Sequence, residues 1–152
     1  MSPDRERSTH IYTLGTSTRS PEEFLSLLKS YGIEVVADVR SFPTSRFEHF
    51  TQRNLAGLVE GAGIRYLYLG RELGGYRRMG YVNYLATADF QAGLRRLERV
   101  ASTRKTAFVC AERLPWKCHR RFIAGELEKR GWQVVHIIDE KRTWQPGPRL
   151  PL

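Results

Sequence analysis

The sequence predicts a three-layer α/β domain: a mainly parallel five-stranded sheet with helices on both faces. Three observations lead there. Short apolar runs of strand length alternate five times with stretches of helical period. Glycines punctuate the junctions. No internal repeat or linker interrupts the alternation. The expected domain spans residues 9–140, between a frayed end at 1–8 and a Pro-rich tail at 141–152.

The elements follow in order. IYTLG, residues 11–15, reads as a strand ending in glycine. Ser20 can cap a helix with Pro21 at its first position, Glu22 and Glu23 in its first turn, and Phe24, Leu27, Leu28 and Tyr31 along one face. Gly32 ends it. IEVVADV, residues 33–39, is a buried-type strand. A loop over 40–50 leads to a helix from about Gln52 to Glu60, with Leu55, Leu58 and Val59 on one face. IRYLYL, residues 64–69, is the third strand, and residues 70–83 are expected to form a long Gly- and Arg-rich loop. A helix capped by Thr87 or Asp89 carries Phe90, Leu94, Leu97 and Val100 at helical spacing. TAFVCA (106–111) is the fourth strand, a helix ends near Arg130, and WQVVHII (132–138) is the fifth. The tail either packs as extended chain through Trp144 or stays loose.

Composition narrows the function classes. The 152 residues hold 25 basic and 16 acidic side chains, a net charge of +9, and twenty of the bases are arginine. An arginine fork binds phosphate bidentately, so an anionic small molecule or a nucleic acid is the expected partner. No apolar run approaches the roughly 20 residues that cross a bilayer, and MSPDRERSTH lacks the apolar core of a signal peptide. With two cysteines, a disulfide scaffold is excluded, and a cytoplasmic location with reduced thiols is expected.

The chemistry-bearing residues gather after three strands. GTSTRS (15–20) offers Thr16 and Ser17 beside a helix N-terminus, a setting for an anion. In DVRSFPTSR (38–46), Asp38 ends an apolar strand and needs a partner. Arg40 lies on the same side of the strand, and Ser41 and Arg46 follow on the loop. CAERLPWKCHRR (110–121) holds both thiols. Cys110 lies in a buried strand, where a free cysteine acts as a small hydrophobe. Cys118 is expected in the first turn of a helix among Lys117, His119, Arg120 and Arg121, which lowers a thiol pKa. Glu112 is placed to orient His119 or act as a base. Arg113, Arg120 and Arg121 add cations. Cys110, Glu112, Cys118 and His119 lack the paired spacing of a structural zinc site, and adjacent side chains on a helix diverge, so no metal and no cofactor is expected.

In an open parallel sheet, ligands bind beyond the carboxyl ends of strands where the strand order reverses. A strand order of 3-2-1-4-5 would gather these three loops in one pocket. The candidate catalytic set is then Asp38, Cys110, Glu112, Cys118 and His119. The candidate anion set is Thr16, Ser17, Arg40, Ser41, Arg46, Arg113, Arg120 and Arg121. Two classes stay open: an enzyme-like pocket for a phosphorylated or nucleotide-type anion, and a non-catalytic nucleic-acid-binding module using Arg-rich loops 40–53, 71–78 and 113–121.

YTLGTSTRSPEEF, VVADVRSFPTSR, GIRYLYLGRELGG and FVCAERLPWKCHR together resemble the domain-of-unknown-function family 488 of bacteria and archaea, in order, from about residue 11 to 138. The resemblance implies an α/β fold and a site built from these loops, and no settled reaction. The family's first motif often carries a histidine after its glycine, where this chain has Thr16. Asp38-Val39-Arg40 is also similar to a triplet of rhodanese-like domains. Their loop arginine, six residues after the cysteine, is replaced here by Trp116 after Cys110 and Ala124 after Cys118.

Overall fold

Thr106–Cys110 (TAFVC) is buried at every position, the mark of a strand covered on both faces. It is the centre of the sheet. The computed structural model of the protein describes residues 9–41 and 48–145. Its six strands are β1 (His10–Gly15), β2 (Val35–Asp38), β3 (Arg65–Tyr68), β4 (Thr106–Cys110), β5 (Gln133–Ile137) and β6 (Thr143–Trp144), in the lateral order β3-β2-β4-β1-β5-β6. All pairings are parallel except that of β6 on β5.

Two expectations are corrected. The order 3-2-1-4-5 exchanges β1 and β4: β4 pairs with β2 on one side and β1 on the other. The physical reason is burial. β1 carries exposed His10 and half-buried Tyr12, whereas β4 carries no exposed residue. The sheet has six strands, because Thr143–Trp144 adds an antiparallel edge and brings part of the tail into the sheet.

The helices are α1 (Pro21–Ser30), α2 (Gln52–Gly61), the short α3 (Gly70–Leu73) and α4 (Tyr81–Tyr84), α5 (Ala88–Ala101) and α6 (Arg120–Lys129). Residues 70–83 therefore contain two short helices in place of a continuous loop. Ser20 and Glu23 close a capping box on α1, and Thr87 caps α5 by accepting from the Phe90 amide. Strand alternation splits the core in two. Val36, Ala107 and Val109 face Phe24, Leu28, Leu55 and Val59 of α1 and α2. Ala37, Phe108 and Cys110 face Phe90, Leu94, Leu97, Ile123 and Leu127 of α5 and α6. Right-handed crossovers in this strand order place α1 and α2 on one face and α5 and α6 on the other. Among the described residues, no helix is long and apolar enough to cross a membrane.

Candidate active site

Because β4 lies between β2 and β1, the loops after all three strands meet. Loop one is bonded to loop four by its backbone: Thr16 N–H donates to the Cys110 carbonyl and Ser17 N–H to that of Ala111, both at 2.8 Å. Gly15 allows this approach, since a Cβ there would stand 1.8 Å from the Glu112 carbonyl oxygen.

At the end of β2, Asp38 is fully buried and held on three sides. Arg40 grips it with Nε at 2.8 Å and Nη2 at 2.9 Å, and the Tyr66 hydroxyl donates to it at 2.6 Å. The remaining Arg40 nitrogen, Nη1, donates to the Phe50 carbonyl at 2.7 Å. This buried pair uses up the Arg40 fork.

An open cavity of about 430 Å³ lies beyond these strand ends. Arg40 and Ser41 of loop two line it together with Cys110, Glu112, Lys117, Cys118 and His119 of loop four. Gly75 and Tyr76 close it from the 70–83 segment, where the Tyr76 amide donates to Ser41 Oγ at 3.0 Å.

Cys118 and His119 form a side-chain pair, with Sγ 3.3 Å from Nδ1. The other ring nitrogen, Nε2, is 2.7 Å from the Val39 carbonyl oxygen. A carbonyl only accepts, so Nε2 carries a proton and Nδ1 is left to exchange one with the thiol. A 3₁₀ turn at Pro115–Lys117 delivers Cys118 just ahead of α6, and not within its first turn as expected. The sulfur there accepts the Arg120 backbone N–H at 3.5 Å, doing the work of a cap.

The second thiol lines the same cavity: Cys110 is buried, with its Sγ 3.8 Å from the Glu112 carbonyl oxygen. Hydrogen bonding from Cys110, then from His119 and the Arg120 amide, holds the Cys118 thiol far below its ordinary pKa against the opposing effect of burial. Burial, and then the Cys118 bond, push Cys110 up.

Arg120 is fully buried. Nη1 donates to Thr13 Oγ1 at 2.8 Å, Nη2 to the carbonyls of Glu112 at 2.6 Å and Arg113 at 3.3 Å, and Nε has no partner among the described residues. No ion pair joins it to a carboxylate among the described residues. Its charge opposes the effect of burial on the Cys110 thiol.

The sequence-derived set is thus partly assembled. Arg40, Ser41, Cys110, Glu112, Cys118 and His119 line the cavity, with Asp38 behind Arg40. Both ring nitrogens of His119 are already engaged, so Val39 orients it and Glu112 does not. Thr16 is buried, and it and Ser17 buttress loop four from outside the cavity lining. Arg113 lines a separate cavity with Arg19 and Asp139. Arg121 is exposed and donates to the Trp116 carbonyl. Arg46 lies outside the described residues. Lys117, Gly75 and Tyr76 are the additions. The last two were legible only as part of a segment rich in glycine, tyrosine and arginine. Among the described residues, no three of His, Cys, Asp and Glu are grouped to hold a metal ion.

Fold and site together define a mostly parallel α/β protein with a Cys–His pair in a cavity at the strand carboxyl ends. The chain belongs to the family described as domain of unknown function DUF488, whose sequence profile matches residues 20–127. Comparison with curated proteins and with solved structures finds no match.

Proposed function

We propose that this protein is a thiol enzyme in which Cys118 is the nucleophile and His119 its proton partner, acting on a small electrophile that carries an anionic group. The observation that carries the reading is the bonded row Val39 carbonyl–His119–Cys118. It supplies a base beside the thiol and fixes the tautomer that the base needs. The Arg120 backbone N–H, donated to Cys118 Sγ, favours a negative sulfur there. Lys117, exposed on the cavity wall and in no ion pair among the described residues, supports an anionic substrate group. The cavity suits a small molecule or a nucleotide-sized one.

Alkylation tests both halves of the reading. With iodoacetamide, Cys118 is expected to react first, at a rate nearly flat from about pH 6 to 8, where a thiol of pKa about 8.5 would gain roughly tenfold per unit. His119→Asn should restore a rising profile. Equal labelling of both cysteines, or an ordinary profile in the native chain, overturns the nucleophile. Iodoacetate, the anionic analogue, should gain on iodoacetamide relative to the same ratio for a free thiol, and lose that gain in Lys117→Ala. An unchanged ratio overturns the anion site alone.

A further inference from the structure

A Cys118 nucleophile with His119 beside it leaves the second sulfur, Cys110, without a role. Cys110 ends the central strand with 1% exposure. Cys118 lines the open cavity and is only half-buried. Both are free thiols, and both line the same cavity. A buried cysteine that only filled space could pack against any apolar neighbour. This one lines the same cavity as the single other thiol of the chain.

The geometry of two free thiols lining one cavity, one of them paired with His119, points to a dithiol that reduces a hydroperoxide, with Cys118 attacking and Cys110 resolving. This rests on Cys118 being the nucleophile. In the first step, the Cys118 thiolate attacks one peroxide oxygen. An S–O bond forms and the O–O bond breaks. The departing alkoxide or hydroxide takes the proton held at His119 Nδ1, and Cys118 becomes a sulfenic acid. In the second step, the Cys110 sulfur attacks the Cys118 sulfur. An S–S bond forms, the S–O bond breaks, and hydroxide leaves as water with the Cys110 proton. The peroxide gains two electrons and the two thiols lose them. A small thiol entering the cavity meets the Cys118 side of the disulfide and resets it by exchange.

The geometry supports each step. His119 has its free nitrogen on the sulfur, not on solvent, so the proton taken from Cys118 is stored beside the reacting atoms. Cys110 and Cys118 line the same cavity, so the resolving sulfur is on the side where the sulfenic acid forms. The segment between the cysteines holds Pro115 and one 3₁₀ turn, and no strand or α-helix has to be broken to bring the sulfurs together.

The reduced protein is treated with equimolar hydrogen peroxide and followed by intact mass and peptide mapping, beside Cys110→Ala and Cys118→Ala. The native chain is expected to lose two hydrogens and to yield one linked peptide pair joining Cys110 to Cys118. Cys110→Ala is expected to stop at a sulfenic acid that dimedone traps, and then to over-oxidise. Cys118→Ala should consume peroxide no faster than a free buried thiol. With dithiothreitol as reductant, the native chain should turn over peroxide faster than Cys110→Ala. If Cys118 alkylates fast with a flat pH profile yet goes to sulfinic acid while Cys110 stays a thiol, the dithiol proposal is overturned and the nucleophile stands. A disulfide between two chains through Cys118, with Cys110 left free, overturns it too. If Cys118 is slow with both iodoacetamide and peroxide, both readings fall.

Discussion

The backbone amide of Arg120 donates to the sulfur of Cys118, while the Arg120 side chain runs inward and is sealed from solvent. One residue thus contributes a helix-end N–H to the Cys118 thiol and a buried cation to the loop that leads to it. The guanidinium makes three hydrogen bonds, to Thr13, Glu112 and Arg113. Those to Glu112 and Arg113 fix the backbone that leads to the 3₁₀ turn. Arg120→Lys keeps the charge and loses the fork. Charged hydrogen bonds are worth about 1.5–3 kcal/mol each, partly recovered by an ammonium. We expect roughly 2–4 kcal/mol of lost stability in urea unfolding, and slower Cys118 alkylation. An unchanged midpoint would show that the fork is not what anchors the loop.

Asp38→Ala removes the partner of a buried arginine. Arg40 keeps its bond to the Phe50 carbonyl but is left with an uncompensated charge, and the Tyr66 hydroxyl loses its acceptor. Breaking one side of a buried pair costs about 3–5 kcal/mol. If Asp38 had a chemical role alone, the variant would fold with native stability and lose only reactivity. Thermal unfolding separates the two.

Much of this architecture was legible in advance. Strand and helix lengths follow apolar period and caps, so Ser20-Pro21-x-Glu23 and Thr87 marked their helices. The lateral order was not legible, because period reports which side chains are buried and not which strand lies beside which. β6 exists only by pairing with β5, and one-turn helices such as Gly70–Leu73 are too short to show a period. Arg120 illustrates a signal passed over. It lies three, four and seven residues before Ile123, Ala124 and Leu127, on the buried face of α6. That spacing separates it from Arg121, which is exposed. Counted as loop charge, both looked alike. The excess of positive charge on the loops is correspondingly smaller at the surface than in the sequence, since Arg40 and Arg120 are buried and bonded internally.

His136 gives the fold a pH dependence. It is buried in β5, its Nδ1 accepting from Thr13 Oγ1 at 2.6 Å while Thr13 accepts from Arg120. Burial, and then the nearby Arg120 charge, lower its pKa from 6.5 to about 3. The unfolded chain therefore takes up a proton near pH 6.5 that the folded chain refuses until about 3. Protons favour the unfolded state in that window, so this site's contribution is fully present above pH 6.5 and is lost as pH falls towards 3. The loss is about 1.4 kcal/mol per unit at most. Urea unfolding from about pH 7 to 4, beside His136→Gln, should show a shallower decline in the variant. Parallel curves would mean that other groups dominate acid unfolding.

Gly75 sets how closely the 70–83 segment approaches the Cys118–His119 pair. A Cβ there would stand 2.8 Å from His119 Nδ1 and 2.9 Å from its Cγ, inside contact distance. The ring cannot yield freely: Nε2 is bonded to Val39, and the Tyr81 ring packs edge-on against it with centroids 5.5 Å apart. Gly75→Ala must therefore either push the imidazole off Cys118 or lift the segment off the cavity. Gly75 is only half-buried and its φ is not in the left-handed region, so alanine brings little backbone strain. We expect stability within about 1 kcal/mol of native, typical of a change away from the core. The Cys118 alkylation profile should lose its flat region and rise towards that of an ordinary thiol. Gly74→Ala is the companion variant, because its Cβ would meet Ser41 Oγ at 2.2 Å and the Gly70 carbonyl at 2.4 Å, away from the imidazole. It should disturb the segment more than the pair and lower the unfolding midpoint. If Gly75→Ala leaves the profile flat, His119 either tolerates displacement or is not the group that activates Cys118. Alkylation of His119→Asn then decides which.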